Sequence, residues 1–219
     1  MSHFKLLVVG NNIEQLLAPF DENDRHAFKD ATDDTVQLWE TYQVDHKDDG
    51  VKYTNFDEFV SKYCGYETVD GKIGYYHNPS AKWDWWVVGG RYENDLISKT
   101  GETGDSFKIK DIDFSAMMER NKTRAAEWWT ESLEIEGKTF KFYAYGITDD
   151  MTRESFIESR TKFTAFAFLH ESNWVERGEM GWWGFISNEK DEKAWDDQLL
   201  HFIKSLDGED VLTVVDCHI

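Results

Sequence analysis

The chain has 219 residues, of which 24 are Lys or Arg and 43 are Asp or Glu, so its formal net charge is −19 at pH 7. With 40% hydrophobic and 16% aromatic residues it can form a sizeable core, and 15 Gly and 2 Pro are too few for extended low-complexity linkers. A strongly acidic chain is repelled by phosphate backbones and anionic lipid, which disfavours direct nucleic-acid binding and membrane-surface binding.

Targeting signals and cysteine chemistry are also limited. No run approaches the ~20 apolar residues of a membrane span, and the N-terminal segment is strand-like rather than a signal peptide. We therefore expect a cytoplasmic protein with no membrane partner. Cys64 and Cys217 lack a CxxC or Cys/His repeat, which predicts two buried thiols rather than a disulfide or a zinc site.

The N-terminal quarter predicts a strand, a short helix and a polar stretch. Apolar side chains alternate over 3–10, which is typical of a strand, and a helix through 13–17 is expected after it. Residues 21–50 are polar and acidic, which predicts an exposed insertion or a solvated helix.

The central part predicts helices at both ends and strands between them. Apolar residues at i, i+3, i+4 and i+7 predict a helix over 56–63. Residues 66–97 are aromatic, β-branched and Gly-rich, which predicts two strands around a loop at 77–80. A helix over 113–130, a strand over 138–148 and a short helix near 152–159 are expected next.

The C-terminal third predicts a hairpin, a helix and a final strand. Residues 163–170 and 182–187 resemble the two arms of a β-hairpin. Apolar residues at helical spacing predict a helix over 195–206, which Asn188 can cap. The long apolar run in 211–219 predicts a strand that is buried on both faces.

These elements predict the α+β class, with a mainly antiparallel sheet and helices on one face. We expect one domain over 1–219, with 21–54 and 98–160 as insertions, and a ferredoxin-like core as the leading topology. In that topology the last strand pairs antiparallel with the first, which brings His3 near His218.

The excess of negative charge stops in the middle of the chain. Residues 61–110 have seven basic and seven acidic side chains. By contrast, 1–60 have 5 basic and 13 acidic side chains, and 111–219 have 12 basic and 23 acidic side chains. Within this neutral stretch, 78–92 combines indoles for stacking, an arginine fork for anions and a Gly-Gly pair that permits close approach. This favours a nucleotide or another planar anionic ligand. The predicted ligand-binding residues are Asn78, Lys82, Trp83, Asp84, Trp85, Trp86, Gly89, Gly90, Arg91 and Tyr92, with Trp182 and Trp183 as a lid or pocket wall.

Ordinary packing is the alternative interpretation of the same residues. In a strand, Trp83 and Trp85 share one face and Trp86 lies on the other, so core packing accounts for them too. The Gly-Gly pair matches neither common phosphate-loop motif, and a β-bulge explains it equally well.

The final strand carries candidate catalytic residues. Asp216 and His218 lie on one face of a strand and Cys217 on the other. If His3 is adjacent, His3, Asp216 and His218 form a metal or acid–base cluster; otherwise they are a solvated strand end. No GxSxG motif occurs and neither cysteine has a diagnostic His, so the sequence leans against an enzyme, and it leaves the cofactor unknown.

Five segments together resemble a family of uncharacterised proteins encoded by bacteriophages and prophages. They are NPSAKWDWWVVGGRY at 78–92, the opening SHFKLLVVG, LLAPFDE at 16–22, RGEMGWWG at 177–184 and DVLTVVDCHI at 210–219. This chain has Tyr92 where the family-like pattern favours Trp. The resemblance implies a phage accessory protein that acts on the host from the host cytoplasm, for instance by sequestering a nucleotide signal of antiviral immunity.

The sequence leaves three functions open as hypotheses. The first is binding of a small, nucleotide-like anion by the 78–92 segment. The second is an acidic interaction protein, or a nucleic-acid mimic whose carboxylates replace phosphates, that inhibits a host protein. The third is a hydrolase that uses Asp216, His218 and Arg91.

Overall fold

The computed structural model describes residues 2–45, 52–134, 146–148, 150–181 and 185–219, and these residues form an α+β structure with mainly antiparallel strands. The helices are α1 (Ile13–Leu17), α2 (Thr32–Asp45), α3 (Phe56–Glu58), which continues as a π-helical turn over Phe59–Tyr63, α4 (Phe114–Glu134), α5 (Arg153–Thr161) and α6 (Glu192–Ser205). The strands are β1 (His3–Val9), β2 (Ala27–Asp30), β3 (Glu67–Val69), β4 (Lys72–His77), β5 (Trp85–Val88), β6 (Leu96–Ile97), β7 (Thr103–Gly104), β8 (Ser106–Lys108), β9 (Ala167–His170), β10 (Asn173–Glu176), β11 (Glu179–Met180), β12 (Ile186–Ser187) and β13 (Val211–His218).

The main sheet is built around the first and last strands. Its order is β10-β9-β1-β13-β5, and β8 also pairs with β13. β1 pairs antiparallel with β13 from His3 opposite His218 to Val9 opposite Leu212, as expected. β13 is buried at its six central positions, which explains its unbroken apolar run.

The topology is not ferredoxin-like. A split βαβ arrangement separates its two parallel strands by a third strand, whereas β1 and β9 are parallel and lie side by side. The α+β class is confirmed, and the difference concerns only the strand order. It arises because β9 turns outward into β10, so the chain reaches β13 through α6 from the edge of the sheet.

Helices α4 and α6 cover one face of this sheet. Met117 of α4 and Trp195 of α6 belong to the same buried cluster as Leu7 and Val214. Trp195 is completely buried, and its Nε1 donates a hydrogen bond to the Ala165 carbonyl at 2.8 Å. Packing on this face therefore holds the central parts of β1 and β13, and the candidate site lies at the next positions along these two strands.

The chain divides into two compact units. The first is Met1–Leu16 with Trp85–Ile219, and the second is Leu17–Asp84. In the second unit, β4 pairs with both β2 and β3, and Thr35 and Tyr42 are the buried residues of α2. The 21–54 stretch lies in the second unit and 98–160 lies in the first. The expected single domain over 1–219 stays a prediction.

Several local predictions were wrong in detail. The stretch 21–50 contains a strand, β2, as well as a helix. Strands β4 and β5 lie on either side of the 77–80 loop as predicted, but 66–97 also contains β3 and β6; β4 pairs with β2 and β3, whereas β5 belongs to the main sheet. Of the expected strand over 138–148, residues 138–145 lie outside the described residues, and 146–148 are in neither helix nor strand.

The C-terminal hairpin is much tighter than predicted. β9 pairs with β10 across Glu171 and Ser172, and Glu171 has a positive φ of 58°. The next helix, α6, is capped by Asp191, whose side chain accepts from the Ala194 amide at 3.0 Å, and not by Asn188. None of the described helices is long and apolar enough to cross a membrane.

Candidate functional site

A polar cluster occupies one end of the main sheet. Leu7 of β1 lies opposite Val214 of β13. Toward the start of β1, the next two pairs on the same face of the sheet are Lys5 opposite Asp216 and His3 opposite His218. Trp85 of the neighbouring strand β5 lies opposite His218, so it adds a third residue beside the His3–His218 pair. We use the name polar cluster for His3, Trp85, Arg91, Asp216 and His218.

Asp216 is the centre of the polar cluster. Its side chain is buried, with a residue exposure of 1%. A hydrogen bond of 2.9 Å joins Oδ1 to His3 Nδ1, and Oδ2 accepts from the Arg91 backbone amide at 3.0 Å. The two carboxylate oxygens of Asp216 thus have different partners, one on β1 and one in the turn after β5. Asp216 therefore fixes both the ring of His3 and the backbone at Arg91.

The Gly-Gly pair accommodates the protein's own carboxylates. Gly89 and Gly90 have φ values of 71° and 56°, which L-residues rarely adopt. A Cβ on Gly90 would lie 2.6 Å from Asp216 Oδ2, and a Cβ on Gly89 would lie 2.5 Å from Asp105 Oδ2. The space beside each glycine, which we predicted for a ligand, is thus filled by an aspartate side chain of the protein itself.

Arg91 is the exposed cation of the polar cluster. It sits in the short 3₁₀ turn Gly90–Tyr92. Its side chain has no hydrogen-bond or ion-pair partner within the part of the chain that the structure describes. The backbone amide is held by Asp216 while the guanidinium stays available, which is the arrangement an anion-binding arginine needs.

A second ion network lies beside the polar cluster. Asp95 accepts from Lys5 Nζ and from Arg120 Nη2, both at 2.8 Å, so its carboxylate is shared between two cations. Lys5 also lies 5.7 Å from the ring centroid of Tyr92. Burial and the nearby charge of Asp216 raise the pKa of Tyr92, which keeps its hydroxyl protonated. Local sequence spacing could not reveal this network, because its members come from separate elements.

Aromatic rings form the exposed side of the polar cluster. Trp85 is 50% exposed, and its ring centroid lies 6.2 Å from that of His3 in an edge-to-face arrangement. His3 makes a similar contact with His218 at 5.0 Å. Half of the Trp85 surface is therefore open for stacking against a planar group.

The predicted metal cluster does not have the geometry of a metal site. His3, Asp216 and His218 are neighbours, but the two imidazoles meet edge to face, and the carboxylate already bonds to His3 Nδ1. Among the described residues, no three His, Cys, Asp or Glu side chains are placed to hold a metal ion.

Asn78 has a structural role in the second unit. It is buried, and its Nδ2 donates to the carbonyls of Pro19 and Asp21, both at 2.9 Å. Its Oδ1 accepts from the Ser80 amide at 2.9 Å. The polar atoms that we predicted for ligand binding instead close the loop after β4.

The other predicted residues are divided between the units. Trp83 is a core residue with 7% exposure, and its Nε1 donates to the Leu17 carbonyl at 3.2 Å, so its ring is not open for stacking. Lys82 and Asp84 are half-buried in the same unit. Trp86 lies on β5 opposite Cys217. The predicted lid residues Trp182 and Trp183 lie outside the described residues.

Comparisons of the chain with protein-family models, with curated proteins and with solved structures gave no match. The resemblance to phage-encoded proteins therefore stays a prediction that rests on the five sequence segments. A functional assignment for this chain has to rest on the geometry of the polar cluster.

Proposed function

We propose that the protein binds a small, nucleotide-like anion at the polar cluster. The observation that carries the proposal is the exposed Arg91 side chain, which lacks a partner among the described residues while its backbone is anchored to buried Asp216. Arg91 contacts the anion, and the open half of Trp85 stacks against the planar part of the ligand.

Rigidity supports this assignment. Asp216 bonds to β1 through His3 and to the 3₁₀ turn through the Arg91 amide, so the turn is held at two strands of the sheet. A binding turn whose backbone is ordered before the ligand arrives loses less backbone conformational entropy on binding. With the resemblance to phage proteins, the proposal extends to a nucleotide signal sequestered in the host cytoplasm.

A hydrolase is the second candidate, and the His3–Asp216 pair favours it. A carboxylate that bonds to one ring nitrogen orients an imidazole for proton transfer through the other nitrogen. In this candidate His3 acts as the general base and Asp216 as its positioning residue. In this candidate the substrate's anionic group is contacted by Arg91 and by His218, whose ring centroid lies 5.0 Å from that of His3.

Calorimetric titration with inorganic phosphate, nucleoside monophosphates and cyclic dinucleotides tests the binding proposal. Arg91→Ala should weaken binding by about 1.5–3 kcal/mol, which is the range for hydrogen bonds to charged groups. Arg91→Lys should recover only part of this loss, because a point charge cannot replace the planar fork. Arg124→Ala, at an exposed arginine of α4, is the matched control and should bind as the wild type does.

Two results would overturn the binding proposal. One is the same affinity in Arg91→Ala as in the wild type, and the other is the absence of binding to every member of the panel. Chromatography of nucleotides incubated with the protein distinguishes the binding protein from the hydrolase. Hydrolysis by the wild type that is lost in His3→Gln, while nucleotide binding is retained, assigns the hydrolase.

A further inference from the structure

The loop that carries Arg91 already binds two carboxylates of the protein itself. Asp216 Oδ2 accepts from the Arg91 amide at 3.0 Å, and Asp105 Oδ1 accepts from the Asn94 amide. Asp105 and Asp216 also fill the space beside the Gly-Gly pair, where an added Cβ would lie 2.5 and 2.6 Å from their carboxylate oxygens. These two backbone amides are therefore not available to a ligand, which leaves the Arg91 guanidinium as the contact for an anion.

The fixed charges around Arg91 give no surplus of positive charge. The ion network around Asp95 has two cations and one carboxylate, so it contributes one net positive charge in addition to Arg91. Asp105 and Asp216 contribute two negative charges, and among the described residues neither forms an ion pair with a lysine or an arginine. Glu93, which is exposed directly after the turn, adds a third carboxylate. With neutral imidazoles, the surroundings of Arg91 therefore carry a slight excess of negative charge.

The ionisation of Tyr92 reflects the same balance. Burial raises the pKa of its hydroxyl, the nearby charge of Asp216 raises it further, and Arg91 opposes both with a smaller effect. Asp95 acts in the same direction as Asp216. The carboxylates therefore outweigh Arg91 at Tyr92, although Arg91 is its direct neighbour in the chain.

The charge of the whole chain also disfavours a doubly charged ligand. A formal net charge of −19 repels any anion, and at low ionic strength the repulsion of a dianion is about twice that of a monoanion. A phosphate monoester has a charge of about −1.5 to −2 near neutral pH, whereas a phosphodiester has a single negative charge. The local charges and the charge of the whole chain therefore both favour a diester.

We infer that the ligand of the polar cluster presents one negative charge, and that it is a nucleoside phosphodiester rather than a nucleoside monophosphate. The inference rests on the proposed function, in which Arg91 contacts the charge and Trp85 stacks against the base. One guanidinium matches the single charge of a diester. A second charge on the same phosphoryl group would meet the three carboxylates around Arg91 instead. Cyclic nucleotides and linear dinucleotides both offer a diester.

Calorimetric titration at mildly alkaline pH and low ionic strength compares AMP with two monoanions, adenosine 5′-sulfate and the methyl ester of AMP. The sulfate has the shape of the phosphate with one charge fewer, so it separates charge from size, and the methyl ester is itself a diester. Both monoanions should bind at least about threefold more tightly than AMP. This ratio should shrink at high ionic strength, because salt screens the repulsion. Titration with 3′,5′-cyclic AMP and with the linear dinucleotide ApA then identifies which source of the diester is preferred.

Asp105→Asn tests the role of the carboxylates, because the amide keeps an oxygen that accepts from the Asn94 amide. This variant should reduce the preference for the monoanions over AMP by at least about twofold. Glu127→Gln is the matched control: Glu127 is exposed on α4, outside the polar cluster, and its loss changes the net charge equally. The control should keep the wild-type ratio. Far-UV circular dichroism verifies that both variants are folded.

The outcomes separate this inference from the proposed function. If AMP binds as tightly as the sulfate and Arg91→Ala weakens both, the single-charge inference is overturned while the proposed function stands. The same holds if Asp105→Asn keeps the wild-type ratio, or if the sulfate binds tightly and the methyl ester does not. Binding of none of these ligands, or full affinity in Arg91→Ala, overturns the proposed function, and the inference fails with it.

Discussion

Substitution of Gly90 by alanine tests how tightly the 3₁₀ turn packs against Asp216. The new methyl would start 2.6 Å from Asp216 Oδ2, and the backbone would have to keep a φ of 56°. The left-handed conformation costs an L-residue about 1–2 kcal/mol, and the overlap adds about 1–3 kcal/mol of overpacking. We expect Gly90→Ala to reduce the free energy of unfolding by about 2–5 kcal/mol.

Gly101→Ala is the matched control. Gly101 has a φ of 86° and no atom within 4 Å of an added Cβ, so this variant should lose only the ~1–2 kcal/mol of the backbone term. Urea-induced unfolding monitored by circular dichroism gives both values. Amide hydrogen exchange at Arg91 gives a local measurement, because displacement of Asp216 exposes that N–H. Equal losses in the two variants, with unchanged protection at Arg91, would refute the packing described for Gly90.

Three further predictions concern single side chains. Asp216→Asn should lower the free energy of unfolding by about 1.5–3 kcal/mol in a urea titration, because a neutral amide cannot accept from both of its present donors as a carboxylate does. Burial raises the thiol pKa of both cysteines, and Cys217 is completely buried. Mass spectrometry after alkylation at mildly alkaline pH should therefore show that Cys64 is modified before Cys217. The hydrogen bond from Lys72 lowers the pKa of Asp30 to about 2, so Lys72→Met should raise the midpoint of the Asp30 titration measured by NMR. The stability that this pair adds is present above about pH 4 and is lost as the pH falls toward 2.

Elements with strong periodicity could be predicted from the sequence. β1, α6 and β13 were identified from their apolar patterns, and the antiparallel pairing of the two terminal strands placed His3 opposite His218 as expected. These predictions were confirmed because a buried sheet face and a buried helix stripe impose regular spacing on the chain.

The candidate site could be predicted only in part. The sequence identified Arg91, Trp85 and Asp216, but not that the 78–92 motif contributes to two units. The partners of Gly89 and Gly90 come from residues far along the chain, so local patterns carry no signal of them. The same limit applies to the ferredoxin-like expectation, since strand order depends on long-range pairing.

The position of β1 in the sheet also determines when it can fold during synthesis. Its two neighbours begin only at Ala167 and Val211, whereas the strands of the Leu17–Asp84 unit all lie within that continuous stretch. The nascent chain therefore completes the contacts of the second unit first, while β1 leaves the ribosome without either neighbour. An apolar central strand that waits for distant partners is open to aggregation, and pairing with β9 and β13 ends this exposure.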